Sequence, residues 1–242
     1  MIISTSRSFI FVHLHKTAGE AVTAALEPFT SRGDLILSRS TRDEFRKLLL
    51  PAYRSTPLTK HATASTIRQV VGTSAWGSMT SFAVVRDPIE RTMSLYRYLS
   101  RIAATVDQSR LRRLWYRSPL GRSVDPRTWA GMIAYTESHS FSDFIRHPAL
   151  EAAPAMREQI DSLSDSRSVV IVDRILPFRS LRRDFAALGQ ELGLGEITLP
   201  RTNESDPSIL TEISHRDSKY LRSRFRRDYE HLGSYFSREG KS

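Results

Sequence analysis

The chain has 242 residues, 40% of them hydrophobic and 26% charged, enough apolar material for a buried core and too much for a disordered polymer. It contains no cysteine, which excludes a disulfide framework, a thiolate metal site and a cysteine nucleophile. The net charge is +10, an excess carried mostly by arginine that favours anionic partners and forked recognition of phosphate, sulfate or carboxylate.

The opening stretch MIISTSRSFIFVHLH lacks the apolar length and the small-residue cleavage site of a signal peptide. No stretch approaches ~18 uninterrupted apolar residues, so a cytoplasmic chain without a membrane span is expected. Residues 8–14 (SFIFVHL) predict a buried strand, His15–Gly19 a tight loop, and Glu20 onward a helix ending at Pro28. A short strand is expected over 34–38 and a helix over 41–50, closed by Pro51. A polar loop over 53–61 leads to Lys60-His61, and a short helix covers 65–71. Residues 81–85 (SFAVV) predict a second strong strand, with Arg86-Asp87-Pro88 at its end and a helix over 89–101. Pro88 suits the first helical turn, where a missing N–H costs nothing.

Residues 104–130 are arginine-rich and aperiodic, with Trp115, Tyr116 and Trp129 interleaved, and predict a loop-dominated basic insertion. Short helices follow at 141–147 and 156–163, then a buried strand over 168–173 (SVVIVD) and a helix over 181–192 ended by Gly193. A polar loop over 199–208 precedes a last helix over 212–232, with Leu221, Phe225, Tyr229 and Leu232 on one stripe. Alternating strands and helices imply an α/β fold, a mostly parallel central sheet flanked by helices. With no linker or repeat in view, residues 1–242 read as a single domain.

In such a sheet, ligands sit beyond the C-terminal strand ends, and two polar clusters stand there: HLHKTAGEA after the first strand and VVRDPIERTMSLY after the later one. A short glycine-ended loop entering a helix presents backbone N–H groups and the positive helix end to an anion. Lys16 adds a mobile charge and Thr17 a hydroxyl donor. The loop has no Walker A spacing. In the second cluster Arg86 leaves a strand end, Asp87 can brace it or cap the helix, and Arg91, Ser94 and Tyr96 lie on that helix.

These clusters resemble the cofactor loops of PAPS-dependent sulfotransferases, in the carbohydrate-modifying branch (uronyl 2-O-like, sulfotransferase family 2). RDPIER is the closest stretch; Lys60–Ala64 and the segment from Gln159 through Arg201–Ser205 also resemble the family. The likeness covers most of the chain outside 104–130. It implies a P-loop-like sheet and an enzyme moving the sulfuryl group of PAPS to a hydroxyl by in-line displacement, leaving PAP, with no metal. Lys16 then contacts the 5′-phosphate and bridging oxygen, Thr17, Ala18 and Gly19 give backbone donors, and Arg86 and Ser94 hold the 3′-phosphate. His61 matches a histidine that acts as base in some members, and an unperturbed imidazole, with a pKa of roughly 6.5, suits that task.

The chain departs from the family pattern at His15, where proline is usual, and at Glu20 and Ala21, where hydroxyl residues are usual. An inward Glu20 repels a phosphosulfate; an outward one favours the helix end. His13, His15 and Glu20 are rival bases. Arg112, Arg113 and Trp115 suggest contacts to an acidic or other carbohydrate acceptor. The alternatives are a non-catalytic relative binding PAP(S) or a glycan, a P-loop-type small-molecule kinase, and a nucleic-acid module. The last is disfavoured because the basic residues are spread along the chain.

Overall fold

The computed structural model describes residues 1–38, 50–108, 125–200 and 213–237. They fall into two compact units: the described parts of Met1–Asp87, Glu158–Asn203 and Arg227–Ser242 form one, and those of Pro88–Arg157 and Glu204–Arg226 the other.

The first unit is built on five strands: β1 (Ile2–Ser4), β2 (Phe9–Val12), β3 (Leu35–Ile36), β4 (Thr80–Val85) and β5 (Arg174–Pro177), in the order β3-β1-β2-β4-β5. Strands β2, β4 and β5 are parallel, and β1 runs antiparallel to β2 and β3. The sheet is therefore mixed, with a parallel core. Around it lie α1 (Gly19–Leu26), α2 (Ala64–Val71), α3 (Thr73–Gly77), α7 (Gln159–Leu163) and α8 (Leu181–Glu191). Helix α10 (Arg226–Leu232) joins them from Arg227 onward.

FIFV and FAVV are uninterrupted apolar runs because both faces of the parallel core are covered. Ile10, Val12, Ala83 and Val85 pack on one face with Ala64, Ile67, Trp76, Ile160, Leu163 and Leu232. Phe9, Phe11, Phe82 and Val84 pack on the other with Val22 and Leu26 of α1 and Leu181, Phe185 and Leu188 of α8. Phe11 and Phe82 stack at 5.0 Å. Asp34, 2% exposed, ties the β1 edge together by accepting hydrogen bonds from Ser4, Thr5, Ser6 and Ser31.

Two facing helix starts exchange carboxylates. Glu158 accepts from the Arg227 N–H of α10 at 2.9 Å, and Asp228 accepts from the Ile160 N–H of α7 at 2.9 Å. Each acid thus satisfies a donor that the other helix cannot.

The second unit is helical: α4 (Pro88–Gln108), α5 (Ala130–Glu137), α6 (Phe141–Arg146) and α9 (His215–Arg224), with short 3₁₀ segments between them. Tyr96 of α4 sits among Tyr135, Phe141 and Phe144 at 5.1–5.4 Å. Asp217 of α9 accepts from Ser142, Arg146 and the α9 N-cap Ser214.

Several elements differ from the sequence expectation. The strand β1 is missed because three residues before a Thr5–Ser8 turn carry no readable period. Residues 168–173 are not a buried strand: Val169 is 56% exposed and Ser168 has φ 62°. There Asp165 accepts from the N–H groups of Arg167 and Val169 and holds a turn. Asp173 docks on Ser81 through its carboxylate and N–H, so pairing with β4 begins only at Arg174. The last helix breaks at Phe225 (φ −106°, ψ 37°). Leu221 and Phe225 lie on the second unit's side of that break, Tyr229 and Leu232 on the first's. The helix after Pro88 runs on to Gln108, inside the stretch read as loop, and Pro126–Thr128 form a 3₁₀ turn capped by Asp125. Arg112, Arg113, Trp115, most of the expected 41–50 helix and the 201–208 part of the expected loop, with Asn203 and Ser205, lie outside the described residues.

Candidate active site

Strands β2 and β4 are parallel neighbours, paired from Phe9↔Thr80 to Val12↔Ala83. Both polar clusters therefore leave the same, C-terminal edge of the sheet, and Lys16 and Arg86 lie in loops that begin side by side. This is the arrangement by which open α/β sheets bind ligands.

The loop after β2 is held by its own backbone. Lys16 and Ala18 have φ 64° and 65°, the left-handed region that costs a non-glycine residue roughly 1–2 kcal/mol each. Strain of this kind persists where the surroundings over-determine it. The Thr17 hydroxyl is buried and donates to the Leu14 carbonyl at 3.2 Å, which secures the loop. The α1 N-cap, Ala18, has no capping side chain, so among the described residues its first-turn N–H groups donate no hydrogen bond to an N-cap side chain. Gly19 is required by packing: a Cβ there would lie 2.0 Å from the His13 ring.

The turn before α2 brings a second set of groups to this loop. Thr63 caps α2 by accepting from the Thr66 N–H at 3.2 Å, which fixes Lys60 and His61 just upstream. The His61 Nδ1 lies 2.8 Å from the His13 carbonyl. A carbonyl only accepts, so Nδ1 carries the proton and Nε2 the lone pair. The rings of His15 and His61 stack at 3.5 Å, and His13 meets His61 edge-on at 4.7 Å. Lys60 forms an ion pair with Glu20. Glu20, its side chain 39% exposed, is therefore not an uncompensated anion in the loop. The structure brings His13, His15, His61, Lys60 and Glu20 together.

Burial, aided by the Lys60 charge and opposed by the His13 hydrogen bond and Glu20, lowers the His61 pKa to about 4. The fold thus replaces the ordinary value near 6.5 expected from the sequence. Burial, then the terminal ammonium of Met1, lowers His13 well below its usual range. Both rings are neutral at pH 7.

At the end of β4, Gln159 brackets Arg86: its Oε1 accepts from the Arg86 N–H at 3.0 Å and its Nε2 donates to the Arg86 carbonyl at 2.8 Å. The guanidinium lies 4.0 Å from the centroid of the Phe178 ring. Asp87 accepts from the Tyr229 hydroxyl at 3.3 Å. Gln159 and Phe178 were not singled out for Arg86 by sequence; their link to it spans 73 and 92 residues, and no local pattern encodes it.

Ser94 belongs to the second unit, where it is 7% exposed on α4. Arg91, 3% exposed, donates to the Arg157 carbonyl at 2.7 Å and lies over Phe225. With Tyr96 in its aromatic cluster, two residues of the R-D-P-x-x-R-x-x-S-x-Y pattern hold the helical unit together.

Among the described residues no group of three or more His, Cys, Asp or Glu side chains is arranged to hold a metal ion. No described helix is long and apolar enough to cross a membrane.

The fold is thus an α/β sheet in which a strained, helix-entering loop and an arginine leave adjacent parallel strand ends. The model of the sulfotransferase family matches residues 1–235, and the chain belongs to that family, as a member of sulfotransferase family 2. No curated protein and no solved structure matches it. Membership makes the chain a transferase of sulfuryl groups and implies a hydroxyl acceptor.

Proposed function

We propose that the chain transfers the sulfuryl group of PAPS to a carbohydrate hydroxyl. The observation that carries this reading is the parallel register of β2 and β4, which starts the Lys16 loop and the Arg86 turn from one sheet edge. Such a pair of cationic loops suits a nucleotide bearing phosphate at two positions. PAPS supplies an activated sulfuryl group whose leaving phosphate gains charge as the bond breaks.

The residues fit that donor. The uncapped start of α1 and the backbone turned by Lys16 and Ala18 offer N–H groups to an anion. Lys16 offsets charge growing on the leaving phosphate, and Arg86 recognises the 3′-phosphate. The lysine of the Lys60–Glu20 pair compensates the carboxylate that would otherwise repel a phosphosulfate.

His61 is the base. Its Nδ1–H is anchored on the His13 carbonyl, so Nε2 accepts the proton of the attacking hydroxyl. A pKa of about 4 makes the resting ring a weak base. Negative charge brought in by the donor favours the imidazolium and raises that value when it matters. The acceptor is an acidic or other carbohydrate, with Arg112, Arg113 and Trp115 assigned to it; the chain works in the cytoplasm.

A thermal-shift panel with PAP, AMP, ATP plus Mg²⁺ and an oligonucleotide tests the donor, because a ligand of the native state raises the melting temperature by mass action. Stabilisation by PAP, weaker with AMP, is expected, and Lys16→Ala and Arg86→Ala should each reduce it. Labelled PAPS with a panel of glycan, alcohol and tyrosine acceptors tests the transfer. Stabilisation by ATP with Mg²⁺ alone would overturn the reading in favour of a kinase; PAP binding with no transfer to any acceptor would indicate a non-catalytic relative.

A further inference from the structure

We propose that Gln159 and Asp228 are positioning residues that fix the backbone of Arg86 and so set the preference for a donor carrying a 3′-phosphate; this rests on the reading of Arg86 as the group that meets that phosphate. The β4–β5 ladder ends at Val85↔Pro177. Arg86 is the first residue beyond it, and its part-buried backbone groups need partners outside that ladder. The side-chain amide of Gln159 takes the strand's place. Its Oε1 accepts from the Arg86 N–H and its Nε2 donates to the Arg86 carbonyl.

The same Nε2 donates to Asp228 Oδ2 at 3.2 Å, and Asp228 Oδ1 accepts from the Ile160 N–H at 2.9 Å. Gln159 is 1% exposed and Asp228 fully buried. Both Nε2 protons are therefore committed. Turning the amide over would set NH₂ against the Arg86 N–H and an oxygen against both the Arg86 carbonyl and Asp228, so only one orientation is possible. Its backbone clamped by this relay and its guanidinium laid on Phe178, Arg86 has few ways to move. A cation held in place loses little freedom when it meets its anion.

A purely structural role would lower stability and weaken all ligands in proportion. A positioning role changes the ratio of PAP to AMP affinity, since only PAP carries the 3′-phosphate. In the full chain, calorimetric titration of both nucleotides is paired with melting curves for wild type, Gln159→Met, Asp228→Asn and Arg86→Ala. Gln159→Met keeps length and loses the hydrogen bonds; it should cut PAP affinity roughly tenfold relative to AMP, the worth of one or two hydrogen bonds. Asp228→Asn, which loses one acceptor, should do so by roughly threefold. If Arg86→Ala leaves the PAP preference intact, the assignment of Arg86 fails. If Arg86→Ala removes the preference while Gln159→Met and Asp228→Asn keep it, the relay proposal is overturned. If Gln159→Met does not fold, the Asp228→Asn ratio decides.

Discussion

Replacing Gly19 with alanine pits two effects of opposite sign against each other. Gly19 opens α1 with no positive φ, so its backbone accepts alanine, and the loss of unfolded-state freedom alone would stabilise the chain by about 0.4–1 kcal/mol. The new Cβ, however, would lie 2.0 Å from both Cδ2 and Nε2 of His13, where ordinary contact begins at 3.4 Å. The ring must retreat by the difference, 3.4 − 2.0 = 1.4 Å. It has little room: His13 is 4% exposed, stacked on Phe11 at 5.5 Å, and its Nδ1 is 3.4 Å from the Met1 amino group. Overpacking of this kind costs about 1–3 kcal/mol, so the net effect should be destabilising, by roughly 1–2 kcal/mol. On the role proposed for His61, whose Nδ1 is anchored on the His13 carbonyl, sulfuryl transfer should fall as well. Urea unfolding of wild type, Gly19→Ala, His13→Ala and the double variant gives the coupling directly. In the double variant the clash is gone, and the coupling should favour it by about 1–3 kcal/mol. A Gly19→Ala protein at least as stable as wild type, or additivity within about 0.5 kcal/mol, would refute the packing argument.

The His61 ring should titrate at about 4 by NMR, with Lys60→Met raising the value and Glu20→Gln lowering it; a value near the ordinary histidine range would contradict the buried geometry. Between that value and about 6.5 the unfolded chain binds a proton that the native ring refuses, so stability should fall as pH drops through this window. A His61→Asn variant, compared with wild type by unfolding across the same range, should show a shallower fall. For Asp34, burial alone would raise the pKa, but hydrogen bonds from Ser6, Ser31 and Ser4 outweigh it and hold the carboxyl below its usual range. Its contribution is present above the unfolded value and lost as pH falls through the lowered one; Asp34→Ala should cost about 1–3 kcal/mol at neutral pH, read from chemical unfolding, and much less in strong acid. In the helical unit, Ser214→Ala removes the α9 cap that accepts from the Asp217 N–H and should cost about 1 kcal/mol, measured the same way.

The legible parts of the chain were those with short-range codes. FIFV and FAVV announce strands covered on both faces, and Ala64–Val71, Phe141–Arg146 and Leu181–Glu191 fall within a residue or so of their periodic patterns. The family likeness was readable because Lys16–Gly19 and Arg86–Tyr96 are contiguous motifs. By contrast, SVVIVD carries the composition of a strand and is not one, since the Asp173–Ser81 contact fixes where pairing with β4 starts. The RDPIER helix shows a similar limit: the motif was legible, but the burial of Arg91 against Phe225 was not, because that partner lies more than a hundred residues away.

From its order of residues alone, this chain determined an α/β architecture, the two polar loops at strand ends and the family they resemble, because each depends on neighbours a few positions apart. Only the tertiary structure decided that β1 adds an antiparallel edge, that Glu20 meets Lys60 and that three imidazoles gather beside Gly19. The same holds for the rise in His61 acidity and for the amide that holds Arg86. The β1 edge apart, these depend on desolvation and on contacts between segments 40 to 73 residues apart, and such energies arise only once the chain has closed on itself.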